Sequence, residues 1–399
     1  MDVQPQSCRD GYVCSGSSCK TSCTVDADCL DSYFCSGSRC HLDAIAIDGA
    51  GEHTCALLID GTVRCWGRND GGELGNGTNA NSSLPVQVSN LTNVTAVSVG
   101  GLHTCAISGG AAFCWGVNAF GEVGNGMVGT NALTPQMVPG LGTVKSIGTG
   151  SSHTCAAITD GTVRCWGLGT SGQLGNGLMT SSSAPAAAVT GINNAAAVTC
   201  GALFSCALLM DGTARCWGRG TEGQLGNNTV VNSSTPVDVA SLTGSGVLTG
   251  AYFIAAGTQH ACALSTSGAV CWGNGLSGEL GNNMNVSSSS PVGVLGGGFA
   301  GAAAIDGGTA HTCVLSGGLV SCWGDDTDGQ LGTGLPIMNS PKPVSVNGLI
   351  QMTGLTTGDL SSCAIRPNGS AVCWGRNDYG QLGIGNATDQ PAPTAVMGW

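Results

Sequence analysis

The chain has 399 residues, 24 acidic against 12 basic side chains, a formal net charge of −12 and only 9% charged residues. This balance excludes the basic surfaces that nucleic acids and anionic membranes require for displacing counterions. No apolar run approaches the roughly 18 to 20 residues that span a bilayer, so no membrane insertion is expected.

Met1 leads straight into Asp-Val-Gln-Pro-Gln, without the basic start and apolar stretch of a signal peptide, so the expectation is a chain that begins after a removed leader. Seven cysteines follow within forty residues: Cys8, Cys14, Cys19, Cys23, Cys29, Cys35 and Cys40. Cys8-Cys14-Cys19 aligns with Cys29-Cys35-Cys40, and Tyr12-Val13-Cys14-Ser15-Gly16 with Tyr33-Phe34-Cys35-Ser36-Gly37. Two tandem copies of one small module result. The second opens with Cys23, where the first has Asp2. A segment this small buries too little apolar surface to fold unaided and needs disulfide staples. Residues 1–43 are therefore read as a disulfide-rich segment, which resembles the short cysteine-rich repeats of secreted proteins in cysteine spacing alone.

From residue 44 to 399 the sequence repeats. Cys-Trp-Gly recurs with tryptophans at Trp66, Trp115, Trp166, Trp217, Trp272, Trp323 and Trp374, a period near 50 residues. In the second unit a strand at Thr95 to Val99 precedes His103 to Ser108, then Ala111 to Trp115, then the turn Gly121-Glu122-Val123-Gly124-Asn125-Gly126. A Pro-led stretch ends each unit, at Pro85, Pro135, Pro185, Pro236, Pro291, Pro341 and Pro391. Short evenly spaced strands with glycine turns predict an all-β fold, and a period near 50 repeated seven times predicts propeller blades. Blades packed side by side bury both faces, which accounts for strands that are apolar or small throughout. The way the ring closes is left open by the pattern.

Each unit carries a cysteine on either side of a turn. The pairs are Cys55 with Cys65, Cys105 with Cys114, Cys155 with Cys165, Cys206 with Cys216, Cys262 with Cys271, Cys313 with Cys322, and Cys363 with Cys373. At a separation of ten the turn is a three-residue loop ending in glycine, as in Ile59-Asp60-Gly61 and Pro367-Asn368-Gly369; at nine it is a two-residue loop such as Gly109-Gly110. Both lengths place the cysteines opposite one another on antiparallel strands, about 4.5 to 5.5 Å apart at Cα, within reach of a disulfide. Zinc would need four converging ligands, which one pair per unit does not supply. Seven disulfides inside the blades are expected, and with them an oxidising, extracellular compartment. Cys200 is left over, read as a buried thiol.

The unit Gly-x-x-His-Thr-Cys-Ala-Leu, Asp-Gly-Thr-Val-x-Cys-Trp-Gly-x-Asn and Gly-Gln-Leu-Gly-Asn-Gly resembles the repeat of the regulator of chromosome condensation family, over residues 44 to 399. The resemblance implies a seven-bladed propeller. It does not carry one activity, because that family includes a nucleotide exchange factor docked on chromatin, a plant ultraviolet-B photoreceptor with an added tryptophan cluster, and a secreted bacterial β-lactamase inhibitor. The first role would use a basic tail that this chain lacks. For the second, every tryptophan but Trp399 belongs to a Cys-Trp-Gly.

His53, His103, His153, His260 and His311 share one position, replaced by Phe204 and Ser361 in the other units. Sevenfold placement keeps equivalent residues apart, so a repeated structural hydrogen bond is expected rather than a metal site. Asp325, Asp326 and Asp328 are read as a solvated acidic loop, since the spacing lacks the alternating ligands and closing glutamate of a calcium loop. No catalytic motif is present, and neither enzyme activity nor a cofactor is expected. The variable loops after Cys-Trp-Gly supply the candidate binding residues Arg68, Asp70, Phe120, Arg219, Glu222, Arg376, Asp378 and Tyr379, because arginine and aromatic side chains anchor interfaces. The expectation is a secreted or cell-surface, non-enzymatic scaffold that binds a protein or glycan. The alternatives are a self-assembling surface protein and an inhibitor of an extracellular enzyme.

Overall fold

The computed structural model describes residues 39–296, 299–334 and 338–398, together with short pieces at 14–15, 18–19, 23–26 and 33–36. No α-helix occurs among the described residues. Seven antiparallel sheets follow one another along the chain and form a ring. In blade 1 the innermost strand is Ala44–Ala50, followed outward by His53–Leu58, Val63–Gly67 and Ser82–Gln87. Blades 2 to 7 occupy 94–137, 144–182, 195–238, 251–293, 304–345 and 354–395. In blade 3 the outermost strand is reduced to one bridge, Gly167 with Ser182. The prolines at the unit ends fall in these outermost segments, where a missing N–H costs no ladder bond.

The second and third strands are almost wholly buried, and their hairpins follow the expected turn chemistry. Gly61 takes a left-handed φ of 77° to close the three-residue loop, whereas Gly109 and Gly110 at 56° and 81° make the two-residue loop of blade 2. Each cysteine faces its partner across the ladder. All seven expected disulfides form. Cys55 bonds Cys65 in blade 1, Cys105 bonds Cys114 in blade 2, Cys155 bonds Cys165 in blade 3 and Cys206 bonds Cys216 in blade 4. Cys262 bonds Cys271 in blade 5, Cys313 bonds Cys322 in blade 6 and Cys363 bonds Cys373 in blade 7. One detail differs from expectation: the Cα separations are 4.0–4.1 Å, closer than the 4.5 Å lower bound for opposed strands.

Successive blades lock through the tryptophan. Trp115 Nε1 in blade 2 donates to the carbonyl of Glu73 in the turn of blade 1 at 2.8 Å. The same bond recurs from Trp166 to Glu122, Trp217 to Gln173, Trp272 to Gln224, Trp323 to Glu279 and Trp374 to Gln330, at 2.7–3.0 Å. Ring closure repeats it: Trp66 of blade 1 donates to Gln381 of blade 7 at 2.9 Å. Blade 7 is built wholly from 354–395, so the seam between blades 7 and 1 is non-covalent, with no strand exchanged across it.

The N-terminal cysteines fall partly outside the described residues, as Cys8 and Cys29 do. Cys14–Ser15 pairs with Ser18–Cys19 and Tyr33–Ser36 with Arg39–Leu42, placing Cys14 opposite Cys19 and Cys35 opposite Cys40. Cys23 and Cys40 are each engaged in a disulfide. Asn368 in the hairpin of blade 7 donates to Asp26 at 2.9 Å, which sets this segment against the hairpin face of the ring.

Candidate functional site: the loop face and the axial channel

The shared histidines are structural, as their spacing implies. His53 Nε2 lies 2.7 Å from Thr104 Oγ1 of the next blade, and that hydroxyl donates to the Glu73 carbonyl at 2.9 Å. With its proton so committed, the hydroxyl accepts from the ring, which fixes the neutral tautomer with the proton on Nε2. The bond recurs from His103 to Thr154, His153 to Ser205, His260 to Thr312 and His311 to Ser362, at 2.8–2.9 Å. Burial drives all five pKa values down, to about 3 for His53, His153 and His260 and about 4 for His103 and His311. Where Phe204 replaces histidine, Ala261 replaces the hydroxyl in the next blade, and the two share an apolar cluster.

Because the strands alternate in direction, the turn after the first strand and the long loop after the third lie on one face. The hairpin between the second and third strands lies on the other. Five of the eight candidate binding residues converge on this loop face at the seam. Arg68 bonds Glu52 at 2.9 Å and Asp70 at 3.0 Å, and its guanidinium lies over the Tyr379 ring of blade 7, 5.4 Å from the centroid. Arg376 pairs with Asp378, and its pKa is raised by that bond and by the charges of Asp378, Asp328 and Glu52. Glu52 sits in the turn after the first strand, and no motif singled it out. Arg219 and Glu222 form a separate 2.6 Å pair in blade 4, and Phe120, 44% exposed, stands alone in blade 2. Asn69 between Arg68 and Asp70 is fully buried and knits its own loop, accepting from Leu74 N and donating to the Thr78 and Ala80 carbonyls.

The acidic loop of blade 6 departs from expectation. Asp326 is buried rather than solvated, since it stands where Asn69 and Asn377 stand and accepts the Leu331 N–H at 2.9 Å. Only Asp325 and Asp328 remain on the surface side, where Thr327 bonds both.

Beneath the seam, the first strands line an axial channel of about 130 Å³. The residues opposite the first cysteine of each pair are Asp48, Ser98, Gly148, Thr199, Ala255, Asp306 and Thr356, of which Asp48, Ser98, Gly148, Thr199 and Asp306 line the channel. Thr356 Oγ1 lies 3.2 Å from Asp48 and 3.1 Å from Asp306. Asp48 also accepts the Val99 N–H, and Asp306 the Thr357 N–H, so the two acids tie blades 6, 7, 1 and 2 together. Burial, then Asp306, pushes Asp48 up to about 7, and burial pushes Asp306 up to about 6. Sequence reasoning missed both acids, although aligning the seven units shows this column changing between charged, hydroxyl and small residues.

Across the channel, Cys200 is a buried thiol pushed up to about 12 by burial. It lies within 4.8 Å of His153 and Cys155, but the Cys155 sulfur is engaged in its disulfide and is no metal ligand in that state.

Comparison with known proteins bears on both fold and family. The regulator of chromosome condensation (RCC1) repeat matches residues 60–107, 109–157, 160–208, 211–264 and 368–398, and a second form of the same repeat matches 46–73, 144–173, 195–224 and 353–381. The ultraviolet-B receptor UVR8 of Arabidopsis thaliana is 31% identical over 364 residues, covering 88% of this chain and 81% of the receptor. The human E3 ubiquitin-protein ligase HERC2 is 30% identical over 320 residues, but the chain spans only 6% of that protein. Among solved structures, human WBSCR16 superposes with a TM-score of 0.75 at 22% identity, covering 84% of this chain and 94% of that one. Saccharomyces cerevisiae Prp20p gives 0.73 at 21%, covering 89% and 88%, and its structure was described with binding to Gsp1p and histones. With the repeat matched over more than half its length, this chain is a member of the RCC1 repeat family.

Proposed function

We propose that the protein is a secreted or cell-surface scaffold, without enzymatic activity, that binds a protein partner through the loop face at the seam of blades 7 and 1. One observation carries the reading: Arg68, Tyr379, Arg376, Glu52, Asp70 and Asp378 gather there from two ends of the chain. An arginine stacked on a tyrosine, rimmed by carboxylates, presents flat area and directional polar groups, the chemistry of protein interfaces. The seven buried disulfides support an oxidising compartment. Relatives of this family that bind proteins, such as Prp20p with Gsp1p and histones, favour a protein over a glycan. The acidic balance of this chain disfavours partners that seek basic surfaces.

Two measurements test this reading. Intact mass of the natural protein under non-reducing conditions, with alkylation, is expected to show a monomer with at most about two free thiols. About twenty free thiols would refute the compartment, and a covalent dimer would favour self-assembly through the N-terminal segment. A photoreactive residue in place of Tyr379 is expected to capture a partner at the surface of the source cells. The same residue in place of Met210, exposed on the hairpin face, is expected to capture none; equal capture at both positions would refute the loop face.

A further inference from the structure

The position opposite the first cysteine is neutral in five blades and carboxylate in two, Asp48 of blade 1 and Asp306 of blade 6, and both carboxylate residues line the channel. Between them stands Thr356 of blade 7. Its hydroxyl oxygen is 3.2 Å from Asp48 Oδ1 and 3.1 Å from Asp306 Oδ2, and it accepts the Gly49 N–H at 3.0 Å. A hydroxyl has one proton to give, so it satisfies one carboxylate and leaves the other facing an oxygen. Among the described residues, no lysine, arginine or histidine bonds either acid. A third carboxylate, Asp359, lines the same channel. Two buried like charges without a counter-charge are costly, and either a proton held between them or a bound cation relieves that cost.

A second observation points the same way. The side chain of Thr357 is buried, its residue only 2% exposed, and it lies beside Asp306, whose ionised form its hydroxyl favours. Yet Oγ1 of Thr357 meets no hydrogen-bonding partner in good geometry. A hydroxyl held away from solvent without a well-placed partner still has oxygen lone pairs to offer beside the carboxylate pair. The donors gathered here are oxygens, which suit hard cations rather than zinc or copper. The channel volume of about 130 Å³ also admits several waters, each taking about 30 Å³.

We propose that the axial channel binds a hard divalent cation of the calcium kind between Asp48 and Asp306, with the Thr357 hydroxyl and retained water completing its shell. Calcium takes six to eight oxygens in flexible geometry, whereas magnesium demands a tighter octahedron that this spread of donors does not offer. With two carboxylates and many waters, the site belongs with the weak extracellular modules, at dissociation constants of roughly 0.1 to 1 mM. Its place gives it a role beyond partner binding. The ion joins blade 1 to blades 6 and 7 across the one junction that no covalent connection holds.

The test uses the full chain, freed of metal by chelator and held near neutral pH. Calcium, and separately magnesium, is titrated in by calorimetry, with the melting temperature followed in parallel. A saturable calcium heat with a rise in melting temperature is expected, at least several-fold weaker for magnesium. Asp48→Asn and Asp306→Asn, which keep the shape but turn one accepting oxygen of each carboxylate into a donating NH2, should each weaken calcium binding at least tenfold. Thr357→Val, which alters no charge, should weaken it several-fold and covers the case in which the asparagine variants fail to fold. Asp325→Asn with Asp328→Asn in the surface loop of blade 6 should leave binding unchanged. Absence of saturable binding up to about 10 mM calcium overturns the proposal, and so does binding that survives in Asp48→Asn and Asp306→Asn or disappears with the blade 6 loop acids.

Discussion

The hydroxyl that receives each histidine also holds the carbonyl that the neighbouring tryptophan uses, so one small side chain joins three groups from two blades. Thr104 accepts from His53 and donates to Glu73, whose carbonyl Trp115 also reaches. Thr104→Val keeps the shape and removes both bonds, leaving the buried Nε2 proton of His53 unpaired. Loss of about 1–3 kcal/mol is expected, read from urea denaturation. The chain already contains the apolar alternative in Phe204 beside Ala261, so the polar relay is one of two workable solutions. His153→Phe with Ser205→Ala transplants it, and this double change should cost less than the sum of its two single changes. It should also change the response to pH. A histidine whose pKa is lowered in the fold stays neutral there but takes up a proton once unfolded, below its ordinary value near 6.5. Its stabilising contribution is whole above that value and is lost as pH falls toward the folded value of about 3 for His153. The double variant should therefore show a shallower fall in stability between pH 6.5 and 4 than the parent, by up to about 1.4 kcal/mol per pH unit. Parallel profiles would mean that His153 is not buried neutral.

At the scale of the blade, the second and third strands were the most legible part of the sequence. Their cysteines, glycine turns and Cys-Trp-Gly lie within about a dozen residues, and local spacing fixes a hairpin register. The disulfide then staples a hairpin already formed. Removing Cys155 and Cys165 together, as alanines, should cost roughly 2.7 kcal/mol on the chain-entropy account for a loop of this length, with some further loss from the sulfur volume removed from a fully buried site. Denaturant unfolding of the double variant checks this, and a change under about 1 kcal/mol would mean the hairpin is held by its neighbours alone. The candidate site was legible only in part. Arg68, Tyr379, Arg376 and the acids beside them declared themselves as variable loop residues, but their meeting depends on residues about 300 positions apart coming together at the seam. Glu52, Asp48 and Asp306 carry no local motif at all. Their significance arises from sevenfold packing around an axis, which no window of sequence contains. Asp326 misled for the opposite reason, because its neighbours Asp325 and Asp328 make an acidic run while its own role is that of Asn69 in blade 1.

For the whole molecule, the decisive feature is that six junctions between blades are spanned by the chain and one is not. Each junction uses the same glycine: Gly383 at the seam has φ +69°, and a Cβ there would lie 2.8 Å from Trp66 Nε1. Gly175 at the junction of blades 3 and 4 is its counterpart, with φ +67° and a Cβ 2.7 Å from Trp217 Nε1. The two alanine substitutions therefore impose nearly the same local penalty, a left-handed backbone costing about 1–2 kcal/mol plus a clash with the indole. Their consequences should differ. When blades 3 and 4 part, the linking chain keeps them at high effective concentration and they reclose; blades 7 and 1 have no such linker and rely on non-covalent contacts alone, among them the Trp66 and Thr54 bonds to Gln381, the backbone bonds of Ala44 to Gly369 and Gly385 to Ser83, the axial acids and the apolar cluster of Ile47, Trp66 and Leu382. Gly383→Ala should thus open the ring at sub-global cost. Hydrogen exchange should accelerate in 44–50 and 354–357, on both sides of the seam, while 195–200 stays protected. Gly175→Ala should lower overall stability by a similar amount without singling out its own junction. If calcium binds the axial pair, it should slow exchange at the seam in the parent and in Gly383→Ala. Equal acceleration at both junctions would show that the covalent linkers contribute nothing to holding the ring shut.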